Sequence, residues 1–204
     1  MARRGRPPNT RARQEQLLDA LEALLARGVA WSEVSAALLA GQAGLHPNLV
    51  AYHVPQRRRL LVRLVERLAA QVEARARERV RAGRGPLARL LAWLDAHLAL
   101  GRGARPRAVA VWVALGAEAA RDPAVRRVYR AAVATRLDAL TALCRACLRE
   151  RGLPVRPARA QAAAFAAAIE GAYQLAVAAP GVLPRGFAAP TLRALARALY
   201  AARG

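Results

Sequence analysis

The chain has 204 residues, 34 of them basic and all of those arginine, against 13 acidic ones; the formal net charge is +21 and 55% of the residues are apolar. This length allows one large domain or two small ones with a buried core, and the charge favours acidic partners, nucleic acid first and an anionic membrane second. No window holds the roughly 18 uninterrupted apolar residues of a spanning helix, and no apolar stretch follows the charged start MARRGRPPNTRARQEQ, so no membrane span or signal peptide is expected and the chain is read as cytoplasmic.

Helix formers dominate and Val and Ile make no alternating runs, so the expected fold class is all-α, with about nine helices. Residues 1–9 are a basic Gly/Pro/Arg arm, and Thr10 is placed as the cap of the first helix. Leu17, Leu18, Leu21, Leu24 and Leu25 fall on one face of that helix, which Gly28 ends. Ser35 caps a short second helix closing at Ala43-Gly44. Leu45-His46 is a turn, and Pro47 sits in the first turn of a third helix, where proline is tolerated. Pro55 limits that helix to about His53. Leu60, Leu61, Leu64, Val65, Leu68 and Val72 begin a long helix to about Arg81. AGRGPL, residues 82–87, breaks the chain. Further helices are expected near 86–100, 106–121, 123–152, 158–179 and 188–202. The division drawn is an arm, 1–9, a first helical domain, 10–56, and a second, 57–204, with 57–82 as its connecting helix.

Two short helices joined by a glycine turn make a helix-turn-helix, whose second helix is sized for the DNA major groove. Asn48, Tyr52 and His53 are placed on its outer face, where Asn can pair with adenine and Tyr and His can reach phosphates or bases. Arg57, Arg58 and Arg59 open the next helix where phosphates run, at a helix N-terminus that favours anions. Arg3, Arg4 and Arg6 of the arm are assigned to the adjacent minor groove. The full DNA-binding set is Ser35, Ala36, His46, Pro47, Asn48, Ala51, Tyr52, His53 and Arg57 with those three arm arginines.

AGLHPNLVAYHV followed by PQRRRLL resembles the DNA-binding domain of TetR-family transcriptional regulators. That pattern runs Ala-Gly-Val-Ser-x-x-x-Leu-Tyr-x-His-Phe, then x-x-Lys-x-x-Leu-Leu. Ala43-Gly44, His53 and Leu60-Leu61 fit directly, and Arg57 stands where a phosphate-binding Lys is usual. His46 replaces the usual Ser cap, Ala51 the Tyr and Val54 the Phe, while Tyr52 is an additional tyrosine. Residues 105–152 are similar to the C-terminal domain of BetI-type members, as is IEGAYQL at 169–175. The resemblance implies a homodimer joined through the helices near 158–179 and 188–202, a palindromic double-stranded DNA operator, and a small-molecule effector. Repressor is the family default.

Candidate effector-lining residues are Trp93, Trp112, Glu118, Tyr129, Glu170 and Tyr173. Aromatic faces with a carboxylate suit a cation. The same aromatics also fit an ordinary core, and Glu118 and Glu170 on apolar helices need a partner, for which an internal ion pair with Arg is expected. Cys144 and Cys147 stand at i, i+3 on one helix and read as small buried residues rather than a metal or redox pair. No cofactor or metal is expected. The competing reading is a non-specific basic DNA-binding or membrane-surface protein: residues 1–68 hold 11 arginines and 5 acidic residues, and 69–204 hold 23 and 8, so the charge is not concentrated at the reading helix. Catalysis is not expected, because there is no Ser-His-Asp set, no phosphate-cradling glycine loop, and only three histidines, His46, His53 and His97.

Overall fold

A computed structural model describes residues 10–51, 57–98 and 106–201. Among them the chain forms nine α-helices, one 3₁₀ turn and no strand. Helix α1 is Thr10–Ala26. Thr10 is the first of its described residues. Leu17, Leu18, Leu21, Leu24 and Leu25 are all buried, as their one-face spacing requires. Gly28 follows at φ 86°. A short 3₁₀ turn, Trp31–Glu33, then leads into α2, Ala36–Ala43.

Helix α3 is Pro47–Ala51 and α4 is Arg57–Ala82. The first half of α4 buries Leu60, Leu61, Leu64, Val65 and Leu68; the helix packs against α1 and also against α5 and α7. Arg67 is the polar clamp of this packing, bonding Asp19 at 2.6 Å and Glu22 from α1. One helix therefore belongs to both halves of the molecule.

After Gly85, α5 is Pro86–His97, with proline in its first turn. It stops short of the expected residue 100; the Leu98 N–H closes it onto the Leu94 carbonyl. Helices α6, Pro106–Arg121, and α7, Pro123–Glu150, meet at Asp122, whose carboxylate accepts from the Ala124 and Val125 N–H groups. That cap and Pro123 restart a helix one residue after the previous one ends. Helix α7 ends at Glu150, before the expected 152. Gly152 (φ 64°) and the Leu153 N–H bonded to the Leu148 carbonyl make a left-handed closure there. Helices α8, Ala158–Ala178, and α9, Ala188–Tyr200, complete the fold. Helix α8 packs on α7, and α9 on α5, where Arg193 bonds Asp95 at 2.9 Å. No helix among the described residues is long and apolar enough to cross a membrane.

Candidate functional site

The turn between α2 and α3 is built from local rules. The Ser35 hydroxyl accepts from the Leu38 N–H at 3.0 Å and caps α2. At the other end Gly44 adopts φ 63°, ψ 33°. The Leu45 N–H bonds the Ala40 carbonyl at 2.9 Å and the Gly44 N–H the Gly41 carbonyl at 3.3 Å, which is the Schellman closure. A Cβ on Gly44 would meet nothing within 4 Å, so backbone conformation and not space calls for glycine there. From α1, Gln16 Nε2 donates to the Ala43 carbonyl at 2.7 Å and pins the turn to the scaffold.

His46 takes over the work of the missing serine. Its Nδ1 accepts from the Asn48 N–H at 3.3 Å, and Pro47 follows it as the first helical residue. Val50 is buried while His46, Pro47 and Asn48 are exposed. Val50 thus anchors the third helix to the domain, while its described N-terminal side chains stay outward. Ser35 is exposed and Ala36 half-buried at the start of α2. Arg58 does not face outward alone: its Nε bonds Asp122 Oδ2 at 2.6 Å, tying the start of α4 to the cap of α7.

A second cluster lies among α6, α7 and α8. Trp112 and Tyr129 stack at 4.5 Å between ring centroids. Trp112 Nε1 donates to both oxygens of Glu170, at 3.2 and 3.1 Å. Arg136 Nη1 donates to Glu170 Oε1 at 2.7 Å, and its guanidinium carbon lies 4.6 Å from the Trp112 ring centroid. Burial, with Glu170 alongside, pushes the Tyr129 phenol well above its ordinary range. A cavity of about 40 Å³ opens beside this cluster, between Arg75, His97, Trp112, Arg136 and Tyr173.

Residues 86–201 match the family described as BetI-type transcriptional repressor, C-terminal. The chain belongs to the TetR family of transcriptional regulators. No curated protein matches it. A transcriptional regulator from Pseudomonas aeruginosa PAO1 shares the fold with a TM-score of 0.79 at 19% identity, over 95% of this chain and 92% of that one. A Rhodococcus sp. RHA1 regulator matches at 0.76 and 24%, over 92% and 95%. A Saccharomonospora viridis regulator in complex with choline matches at 0.76 and 18%, over 92% and 95%.

In this TetR-family chain the candidate residues divide by position. His46, Pro47 and Asn48 come together at the α2–α3 corner, while Ser35 and Ala36 stand at the opposite end of α2. Ala51 ends the described part of α3 and Arg57 begins α4. Tyr52, His53, Arg3, Arg4 and Arg6 lie outside the described residues. Of the effector candidates, Trp112, Tyr129 and Glu170 meet in one cluster, and Tyr173 lines the cavity with Trp112. Trp93 is core, 2% exposed and stacked on His97 at 3.6 Å. Glu118 stands apart in an ion pair with Arg121 at 3.4 Å.

Arg136 and His97 were not among the candidates, yet both line the cavity. Each left a trace in the pattern. Arg136 falls on the apolar stripe of α7 between Tyr129 and Leu140, and His97 on that of α5 after Leu90, Trp93 and Leu94; a charged or polar residue on a buried stripe marks an internal partner. Cys144 and Cys147 are free and buried. Burial raises both thiols, that of Cys147 to about 12, which keeps them protonated and unreactive.

Proposed function

We propose that this chain is a ligand-responsive DNA-binding repressor. In this reading the α2–α3 corner is the reading head of a domain covering 10–56, with residues 1–9 as a DNA-contacting arm. Residues 57–204 bind the effector and the second subunit, and 57–82 connect the two. His46, Pro47, Asn48, Ala51, Tyr52 and His53 enter the major groove, Ser35, Ala36 and Arg57 hold the backbone, and Arg3, Arg4 and Arg6 reach the minor groove. A homodimer through α8 and α9 places two heads on a palindrome. The observation that carries this reading is the capped corner itself. Ser35, Gly44 and His46 satisfy helix ends, and Val50 anchors α3, so that Pro47 and Asn48 stay outward. A reading helix needs that geometry and a plain helical corner does not. The Saccharomonospora relative's complex with choline supports a small-molecule effector. The coupling required is ~1–3 kcal/mol, enough to weaken DNA binding roughly 5- to 150-fold.

Fluorescence anisotropy of the full chain against its own upstream DNA and a shuffled duplex tests this. A preference of ~10³ or more for the upstream DNA is expected, and Tyr52→Ala should erase it. Equal binding of both duplexes, with a steep salt dependence and no effect of Tyr52→Ala, would instead support the non-specific basic protein, which the even spread of arginine favours.

A further inference from the structure

The seat that would hold a cationic ligand is already taken. The Arg136 guanidinium lies over the Trp112 ring. Both oxygens of Glu170 accept from Trp112, and one accepts from Arg136 as well. Aromatic face and carboxylate are the two halves of a cation site, and here the chain's own cation occupies both. Displacing Arg136 would strand a side chain that is only 6% exposed, which is costly for an unpaired charge.

The adjoining cavity has the opposite character. Arg75, Arg136, His97, Gln71 and Tyr173 line it, and neither Glu73 nor Glu170 does. Among the described residues, the bond from Nη1 to Glu170 is the one hydrogen bond of the Arg136 guanidinium, so donors remain to be met. His97 is 1% exposed. Its Nδ1 faces the Trp93 carbonyl at 3.0 Å, an acceptor, so Nδ1 carries the proton and Nε2 is a bare lone pair. Nε2 has no hydrogen-bond partner among the described residues, with Glu73 Oε1 at 3.8 Å, outside hydrogen-bond range. One small space thus holds guanidinium donors of Arg136 still to be met and a buried acceptor lacking a donor. Its volume of about 40 Å³ suits a carboxylate group. Val109 and Tyr173 line both this cavity and a groove of about 710 Å³ walled by Leu98, Ala172, Ala176 and Phe187, which is ready for an apolar body.

We infer that the effector is an organic acid with a hydroxyl or N–H beside its carboxylate and an apolar tail, and not a quaternary ammonium. This names the ligand class for the effector-binding reading given above and rests on it. The carboxylate meets Arg136, the neighbouring donor meets His97 Nε2, and the tail lies in the groove.

Isothermal titration calorimetry of the full chain with mandelate, phenylacetate and benzyltrimethylammonium compares a hydroxy acid, a plain acid and a cation on one aryl body. Mandelate should bind saturably, phenylacetate roughly 3- to 10-fold more weakly for the lost hydrogen bond, and the cation not at all. Arg136→Gln combined with Glu170→Gln removes the pair without leaving an orphan charge, and should weaken acid binding at least ~10-fold. The acid-against-cation contrast on the wild type decides the class even if that variant does not fold. The inference is overturned if the cation binds as tightly as mandelate, if no acid binds at millimolar concentration, or if the folded double variant binds acids unchanged. Titrating DNA in parallel separates the two readings: an acid that binds without altering DNA affinity upholds the ligand class and removes the regulatory role assigned to it.

Discussion

His97 shows how a single residue carries both structure and a pH response. It stacks on Trp93, bonds the Trp93 carbonyl, and faces Glu73, Arg75 and Arg136 from α4 and α7. Burial pulls its pKa below the ordinary histidine value; Glu73 opposes that shift but does not cancel it. The folded pKa thus lies below the unfolded ~6.5, and between the two the unfolded chain binds the extra proton. Stability is therefore full above pH ~6.5 and is lost as pH falls through that value towards the folded pKa. Thermal unfolding followed on both sides of pH ~6.5 should show this fall, and His97→Phe should flatten it. An unchanged slope in the variant would assign the proton uptake to another group. Position 97 on the α5 stripe was readable from spacing, whereas the bare Nε2 was not, because its surroundings come from four other helices.

At the scale of the elements, α4 is the member that joins the two ends of the molecule. Its first turn follows α3 in the chain, and Arg58 there holds Asp122, the cap of α7, across 64 residues. Burial acts to raise the Asp122 pKa, but hydrogen bonds from Ala124 and Val125 and the bond to Arg58 outweigh it and hold the carboxylate below its usual range. Asp122→Ala should cost ~1 kcal/mol in chemical denaturation through the lost cap. Arg58→Ala should leave the salt slope of DNA binding unaltered, since its guanidinium is engaged within the protein, while Arg59→Ala should reduce that slope by ~0.9. Equal slopes for the two variants would return Arg58 to the phosphate backbone. The sequence reading placed Arg57, Arg58 and Arg59 together at a helix start, which holds, but could not separate their roles: a partner 64 residues away leaves no periodic signal.

On the scale of the whole molecule, the faces of α8 and α9 carry the dimer prediction. Leu175 and Val177 on α8 and Leu195 and Leu199 on α9 are exposed, at 45%, 39%, 50% and 43%. Apolar side chains left outward on two neighbouring helices of a protein with net charge +21 favour association, since the charge by itself opposes it. Light scattering on a sizing column should give a dimer for the wild type and a monomer for Leu195→Arg combined with Leu199→Arg. A dimer in both would move the interface elsewhere.

The nine helices among the described residues, the Ser35 cap and the glycine corner were legible in the sequence because helix starts, stops and apolar stripes are set by residues within a few positions of one another. Ser35, Gly44 and Pro47 act through their own backbone neighbours, so pattern alone located them. Which aromatic is core and which lines a cavity was settled by tertiary structure. Trp93 and Trp112 look alike along the chain, but only Trp112 meets Glu170 and Arg136, residues brought from 58 and 24 positions away. The character of that cavity was decided in the same way: a charged side chain's partner is chosen by helix packing, and packing joins positions that no local rule relates.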